Sequence, residues 1–365
     1  MALRVVAFDT RTGNRLARVP GKFTFELPYN SAYGEIRVSS SWTRESQRLK
    51  VWQRTHAART ILAVIDGESV LCAGPVTDRE LTPTGYTITA AGSIWRTLED
   101  RLVLNPSLRE KFVDGEVLID EDNPAPEWFT QLRGSYVDIA ADLVDLALAW
   151  GTLPILTPER EGGTYVRSYK GWELNTVASR LELLTGVINA PELRFTPFLR
   201  PDGGIVFTLQ GAPELIDSTH RWNTLLPRQG VALVRISEDA SLLASDVWGF
   251  GGRSDDIVLA ARSQTPALTE IGWPVMQKAL TSAASVSELS TLKAHTDERA
   301  QRGTTFPEVY ELRVHRRHAP HPGDWANVRI NHPAYGPTEV PLKILAVSGD
   351  ASEWLAVRGR QRNGI

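Results

Sequence analysis

The stretch Ile61-Leu62-Ala63-Val64-Ile65-Asp66-Gly67-Glu68-Ser69-Val70-Leu71-Cys72-Ala73 decides how the first part of this chain folds. Two apolar runs flank an Asp-Gly pair. Type I′ turns need positive φ, which glycine adopts without steric cost, so the pattern predicts a β-hairpin. The same character extends outward in both directions. Leu3-Arg4-Val5-Val6-Ala7-Phe8 reads as a short strand, followed by the turn Thr10-Arg11-Thr12-Gly13-Asn14. Phe23, Phe25 and Leu27 alternate with polar neighbours, as do Ile36 and Val38. Tyr86, Ile88 and Ala90 alternate with Thr87 and Thr89 on the other face. A period of two marks half-buried strands, and about six of them at short spacing predict a small barrel or sandwich over residues 1–104.

The middle of the chain changes period. Trp95, Leu98 and Leu102 recur at helical spacing, with Asn105-Pro106 ending that element. Residues 113–130 read as an acidic loop containing Asp120-Glu121-Asp122-Asn123-Pro124. A helix is predicted over 136–150, with Ile139, Leu143, Leu146 and Trp150 on one side, a Ser135/Asp138 capping box and Gly151 as its stop. Another, around 172–185, carries Val177, Leu181 and Leu184 and stops at Gly186. A second hairpin has Leu193, Phe195 and Leu199 on one arm and Ile205, Phe207 and Leu209 on the other, around Pro201-Asp202-Gly203-Gly204. From about 216 the β pattern returns in Val231–Ile236 and Ser245–Phe250. A helical stretch then shows a Ser285/Glu288 capping box with Leu289 and Leu292 on its apolar side. Tyr310, Leu312 and Val314, then Val328 and Ile330, then Leu342, Ile344 and Ala346, then Trp354–Val357 close the chain as strands. The fold class is therefore α+β and β-rich: a β-barrel-like domain over 1–104, an α/β domain over 105–215, and a second β-barrel-like domain over 216–365.

Composition narrows the function. With 40 basic and 43 acidic side chains the net charge is −3, which lacks the basic excess of a phosphate-neutralising DNA binder. Cys72 is the one cysteine, so folding cannot depend on an internal disulfide, and its apolar surroundings mark it as a small buried hydrophobe. The start, Met1-Ala2-Leu3-Arg4, shows no apolar leader, and no apolar run is long enough to span a bilayer. Assembly in a host cytoplasm is the expectation.

Few residues invite chemistry. His315, His318 and His321 cluster, but their spacing matches no zinc signature and two arginines intervene, so a polar turn is the reading preferred over a metal site. Asp120, Glu121 and Asp122 lack the ordered pattern of a calcium loop. Asp138, Asp142 and Asp145 share one helix face and read as solvated, not as an acid–base set. Gly249-Phe250-Gly251-Gly252 lacks the Gly-Lys-Ser/Thr ending of a phosphate loop and reads as a strand-end bend. Hydrolase motifs built on Gly-x-Ser-x-Gly or His-Glu-x-x-His are missing. A glycosidase carboxylate pair assembles only in space and stays open. The expectation is no catalytic residue, no cofactor-binding residue, no metal and no cofactor. Eleven scattered tryptophans are expected to lie mostly in the core, a minority at subunit contacts.

Four segments carry a resemblance. They are the N-terminal strands through Trp42 with the Asp66-Gly67 hairpin and Gly74; Gly92-Ser93-Ile94-Trp95-Arg96-Thr97-Leu98-Glu99-Asp100-Arg101-Leu102-Val103-Leu104-Asn105-Pro106; His220-Arg221-Trp222-Asn223 with Val247-Trp248-Gly249-Phe250-Gly251; and Pro322-Gly323-Asp324-Trp325. In this order they resemble the minor tail proteins of long-tailed bacteriophages infecting actinobacteria and, more distantly, the baseplate hub proteins of contractile-tail phages. The likeness runs over most of the chain, through loose motifs. It implies two barrels flanking α/β insertions, with 263–304 as a helical insertion in the second barrel. It also implies a homotrimeric ring in the virion tail tip. The ring would contact distal-tail and tube-end proteins and the tape-measure protein, and would pass DNA without binding it specifically. No catalytic residues transfer from that family. A tail-associated carbohydrate- or receptor-binding module, revealed by an exposed tryptophan row, and a cell-wall hydrolase stand as the alternatives.

Overall fold

The computed structural model describes residues 3–29, 34–111, 126–238, 240–254, 257–280, 286, 289–304, 308–334 and 336–361. The chain is α+β and β-rich, and it divides into two units. The first comprises Met1–Glu182, Pro191–Leu215 and Ser348–Ser352, and the second Leu183–Ala190, Ile216–Val347 and Glu353–Ile365.

The first unit opens with β1 (Arg4–Asp9), β2 (Arg15–Val19), β3 (Lys22–Pro28), β4 (Glu35–Ser41), a short helix α1 (Arg44–Arg48), β5 (Thr60–Asp66), β6 (Ser69–Leu81) and β7 (Gly85–Ala91). The hairpin forms as expected between β5 and β6, with Asp66 opposite Ser69. Its turn differs in detail. Gly67 has φ 63° while Glu68 is not left-handed, which is the type II′ pattern and not type I′. The antiparallel ladder runs β2-β1-β5-β6-β7-β4-β3. β6 is its hinge: Val70–Pro75 pairs with β5, and Val76–Leu81 pairs with β7. Pro75 has no N–H to give a ladder, and a Cβ on Gly74 would sit 2.3 Å from the Ala91 carbonyl oxygen. The bend is thus written into two residues. Phe8, Ile36, Ile61, Leu62 and Ile88 are fully buried, and since neighbours Ile61 and Leu62 point to opposite faces, β5 is covered on both sides.

No closed barrel forms among the described residues, contrary to the barrel-like expectation. Closure would pair β2 with β3, and no such pairing forms among the described residues although only Pro20 and Gly21 separate the two strands. Gly21, at φ 146°, turns a corner that passes the chain from one sheet to the other. The helix expected around Trp95 is a 3-10 segment, Ile94–Asp100. It buries Trp95 and Leu98, while Leu102 lies beyond it, exposed and bridged to Thr176.

The rest of this unit contains β8 (Phe129–Gly134), α2 (Tyr136–Trp150), β9 (Ile155–Leu156), β10 (Tyr165–Lys170), α3 (Val177–Thr185), β11 (Glu192–Leu199) and β12 (Ile205–Ala212). α2 has the predicted bounds, and its capping box forms in both directions, Ser135 with Asp138. α3 starts later than 172, because Gly171–Glu173 is a 3-10 turn ending at left-handed Leu174. The second hairpin pairs β11 with β12 and buries Leu193, Phe195, Ile205, Phe207 and Leu209.

The second unit contains β13 (Thr219–Asn223), β14 (Val231–Glu238), β15 (Asp246–Ser254), β16 (Ile257–Gln264), α4 (Ala267–Glu270), β17 (Gln277–Leu280), α5 (Leu289–Gly303), β18 (Glu308–His315), β19 (Trp325–His332), β20 (Gly336–Asp350) and β21 (Trp354–Gln361). One ladder runs β14-β18-β21-β20-β19-β13, antiparallel except where β13 lies parallel to β19. It too is open, since no β13–β14 pairing joins its ends among the described residues. A separate sheet, β16-β15-β17, is covered by α5. The buried stripe of α5 is Leu292, Thr296 and Ala300, at i, i+4 and i+8. Leu289, expected on that stripe, is exposed. Ser285 and Glu288, the expected capping box, lie outside the described residues.

Candidate functional site

Two segments distant in sequence, 220–223 and 322–325, are brought together by the parallel pairing of β13 with β19, Thr219 opposite Trp325 and Trp222 opposite Val328. Parallel neighbours cannot be joined by a tight turn, and here one side chain ties the start of the pair. Asp324 does this. Its Oδ1 accepts the backbone N–H groups of Asp217 and Ser218, both at 2.9 Å. Its Oδ2 accepts the His321 N–H at 3.0 Å and lies 3.1 Å from His220 Nε2. Asp324 is 1% exposed. Burial alone raises its pKa, but the His220 hydrogen bond and the three backbone amides outweigh burial and hold the carboxyl below its usual range.

The His220 ring stacks on Trp222 with centroids 4.9 Å apart, and Trp222 meets the edge of His318 at 6.1 Å. His318 Nε2 is 2.6 Å from the Gln229 carbonyl. His315 Nδ1 accepts the Arg317 N–H, and its Nε2 is 3.5 Å from Glu353. His321 serves through its backbone. His315 and His318 therefore point to different partners. Among the described residues no group of three or more His, Cys, Asp or Glu side chains is placed to hold a metal.

An Asp-oriented imidazole is half of a nucleophilic triad. Here Asp324 is the one side chain hydrogen-bonded to His220 among the described residues, and no hydroxyl or thiol joins the pair. Each oxygen of Asp324 is engaged twice. The arrangement ties strands together. Sequence reasoning quoted both segments without linking them. A carboxylate straight after Pro322-Gly323 was the available signal, and it names no partner.

The Asp138, Asp142 and Asp145 stripe is solvated only in part: Asp145 is exposed and Asp142 partly so, while Asp138 is not. Asp138 is buried and accepts the N–H groups of Ser135 and Glu161, both at 3.0 Å. Asp142 takes Arg160 Nε at 2.8 Å, and Asp145 takes Arg160 Nη2 and, at 3.0 Å, the Thr157 hydroxyl. The stripe latches segment 157–161 onto α2. Gly249, in Gly249-Phe250-Gly251-Gly252, lies inside β15, where a Cβ would come within 2.7 Å of Thr296 Cγ2. Its role is close helix packing. The bend comes at Gly252, with φ 58°, beside the register shift of β15. Cys72 is buried, and burial pushes its thiol far up, so it is inert. Asp120, Glu121 and Asp122 lie outside the described residues.

The tryptophans depart from expectation. Trp95 and Trp222 are buried, whereas Trp172 and Trp248 are exposed. Several carry a cation over the ring: Arg79 on Trp52, Arg109 on Trp150, Arg262 on Trp248 and Arg313 on Trp354. Indole is large and amphipathic, and a guanidinium over its face shields it while keeping its own charge hydrated.

No family model matches the chain, and no curated protein matches it by sequence. Solved structures do match its fold. A tail protein from Neisseria meningitidis superposes with a TM-score of 0.54 at 11% identity, covering 99% of this chain and 97% of that one. The 43 kDa tail protein of prophage MuSo2 from Shewanella oneidensis does so with a TM-score of 0.54 at 13% identity, covering 98% of each. At these identities the likeness is one of fold. No helix among the described residues is long and apolar enough to cross a membrane.

Proposed function

We propose that this chain is a structural, non-enzymatic subunit of a bacteriophage tail: the tail hub, or minor tail protein, of the tip. One observation carries the reading. The likeness to two tail proteins runs end to end through both partners, so it involves the whole architecture and not one common module. The way the buried carboxylates are used adds support, since Asp324 and Asp138 bind backbone amides of their own chain. In this proposal the β-rich 1–104, the α/β 105–215 and the β-rich 216–365 with its 263–304 insertion are the working parts.

The subunit closes a homotrimeric ring between the tail tube and the tip, meeting tube-end and tape-measure proteins, and DNA passes through it. The open ladder end at β14, where Val234 is 64% exposed, is a strand edge of the kind that pairs with another chain. Cyclic symmetry closes such a heterologous contact without filament growth. Virion reconstruction tests this: three copies at the tip are expected, and one or six would refute the trimer. Hydrolysis of host cell wall that vanishes on neutralising a single carboxylate would refute the non-enzymatic reading.

A further inference from the structure

We infer that the first unit carries a binding site for a small, multiply charged oxyanion of the phosphate class, independent of the tail reading. The site is a cleft of about 540 Å³ where β1 ends, the 57–59 loop enters β5, β6 turns its corner, and the 94–100 helical turn passes. Its walls include Arg11, Arg59, Arg96 and Arg101, with Asp100 the one carboxylate, in a chain whose overall charge is negative. Among the described residues Arg96 is paired, with Glu99 at 2.7 Å and Asp100 at 4.0 Å, while the guanidinium groups of Arg11, Arg59 and Arg101 form no ion pair. Arg101 instead packs on Gly151 at the end of α2.

The second observation is Thr10. It lines the cleft, is 6% exposed, and its hydroxyl has no hydrogen-bond partner among the described residues. A buried hydroxyl without a partner costs stability; this one is closed to water, and a rotation about its Cα–Cβ bond on binding would let an oxyanion in the cleft accept its proton. The adjoining backbone is held in place for this. Thr10 N–H donates to the Arg59 carbonyl at 3.0 Å, and Ala58, left-handed at φ 59°, donates to the Val76 carbonyl at 2.8 Å. Such a conformation is costly for a residue with a Cβ and is found preferentially at binding sites.

Charge and size select the ligand. Asp100 approaches Arg96, and Asp9, beside the cleft, feels the charge of Arg59, which leaves the arginines in excess; a pyrophosphate or phosphate ester offers several charges and oxygens in several directions for forked donors. The volume is that of a small-molecule site, and Ala57, Pro75 and Leu153 supply apolar wall.

Titration calorimetry on the full chain with inorganic pyrophosphate tests the proposal. One saturable site is expected. Arg59→Gln and Arg11→Gln should each weaken it roughly tenfold, the loss of one charge-assisted contact. Arg133→Gln, an exposed arginine on β8 in the same unit, should leave it unchanged. Thr10→Val should weaken binding yet raise the melting temperature of the free protein, a pairing that a purely structural threonine would not give. No saturable binding, or an equal loss in Arg133→Gln, overturns the site. Citrate binding as tightly as pyrophosphate overturns the phosphate class. A short single-stranded oligonucleotide displacing pyrophosphate overturns the small-anion source in favour of a phosphodiester polymer.

Discussion

Asp138 on α2 and Asp324 before β19 are both buried, both hold several N–H groups and both have a lowered pKa, yet they organise the chain over different ranges. Asp138 works mostly within its own helix start, three residues from Ser135, and reaches outward to Glu161. Asp324 draws on residues more than a hundred positions away, at 217, 218 and 220. A local carboxylate secures an element that propensity already favours. A non-local one holds a parallel strand pair that no turn can hold.

That contrast can be broken first at its stronger end. Asp324→Ala strands the amides of 217, 218 and 321 without an acceptor. It should cost about 3–5 kcal/mol, as expected when one partner of a buried charged network is removed. The urea midpoint followed by tryptophan fluorescence measures it, with Trp222 as the nearby reporter. A loss no larger than that of Asp138→Ala would erase the distinction.

Asp138→Ala comes next, at about 1–2 kcal/mol for the lost half of the capping box and the freed Glu161 amide. Hydrogen exchange should be faster at the Ser135 and Glu161 amides, with little change at the β13–β19 pair.

Acid gives a third comparison. Both folded pKa values lie below the ordinary 3.8, so each carboxylate's stabilisation is complete above that value and is lost as pH falls through the folded pKa. The stability gap between the parent and Asp324→Asn should narrow below about pH 3.8, with a slope of at most about 1.4 kcal/mol per pH unit for one group. A gap that stays flat from neutral pH down to pH 2 would mean that the charge of Asp324 is not what holds the strands.

The smallest effect belongs to Asp142→Ala. Its partner Arg160 also reaches Asp145, and the pair is partly exposed, so a loss below about 1 kcal/mol is expected in the same urea titration. A loss as large as that of Asp138→Ala would make the Arg160 latch, and not the cap, the main tie of segment 157–161.

Much of this was legible in the residues. The Asp66-Gly67 hairpin, the α2 bounds with the Ser135/Asp138 box, and the buried alternations of β11, β12, β18, β19 and β20 follow from local pattern, because turn chemistry, capping and periodicity act within a few positions. Where prediction and fold part, the deciding partner is far away. Trp95, Leu98 and Leu102 have helical spacing, but Leu102 bridges to Thr176 and the helix is not continued. Leu289 and Leu292 share a helical period, yet α5 meets the Gly249 face through Leu292 and Thr296. The aspartate stripe of α2 reads as solvated until Arg160 is laid upon it.

By itself, then, the sequence determined the strands that alternate, the helix that carries its own cap and stop, and which side of those strands faces inward, since those choices rest on backbone sterics and on side-chain period. Only the tertiary structure decided that neither ladder closes among the described residues, that His220 meets Asp324, and that four arginines and Thr10 line one cleft. Each of those depends on chain closure between remote residues, and spacing along the chain carries no information about which remote residue arrives.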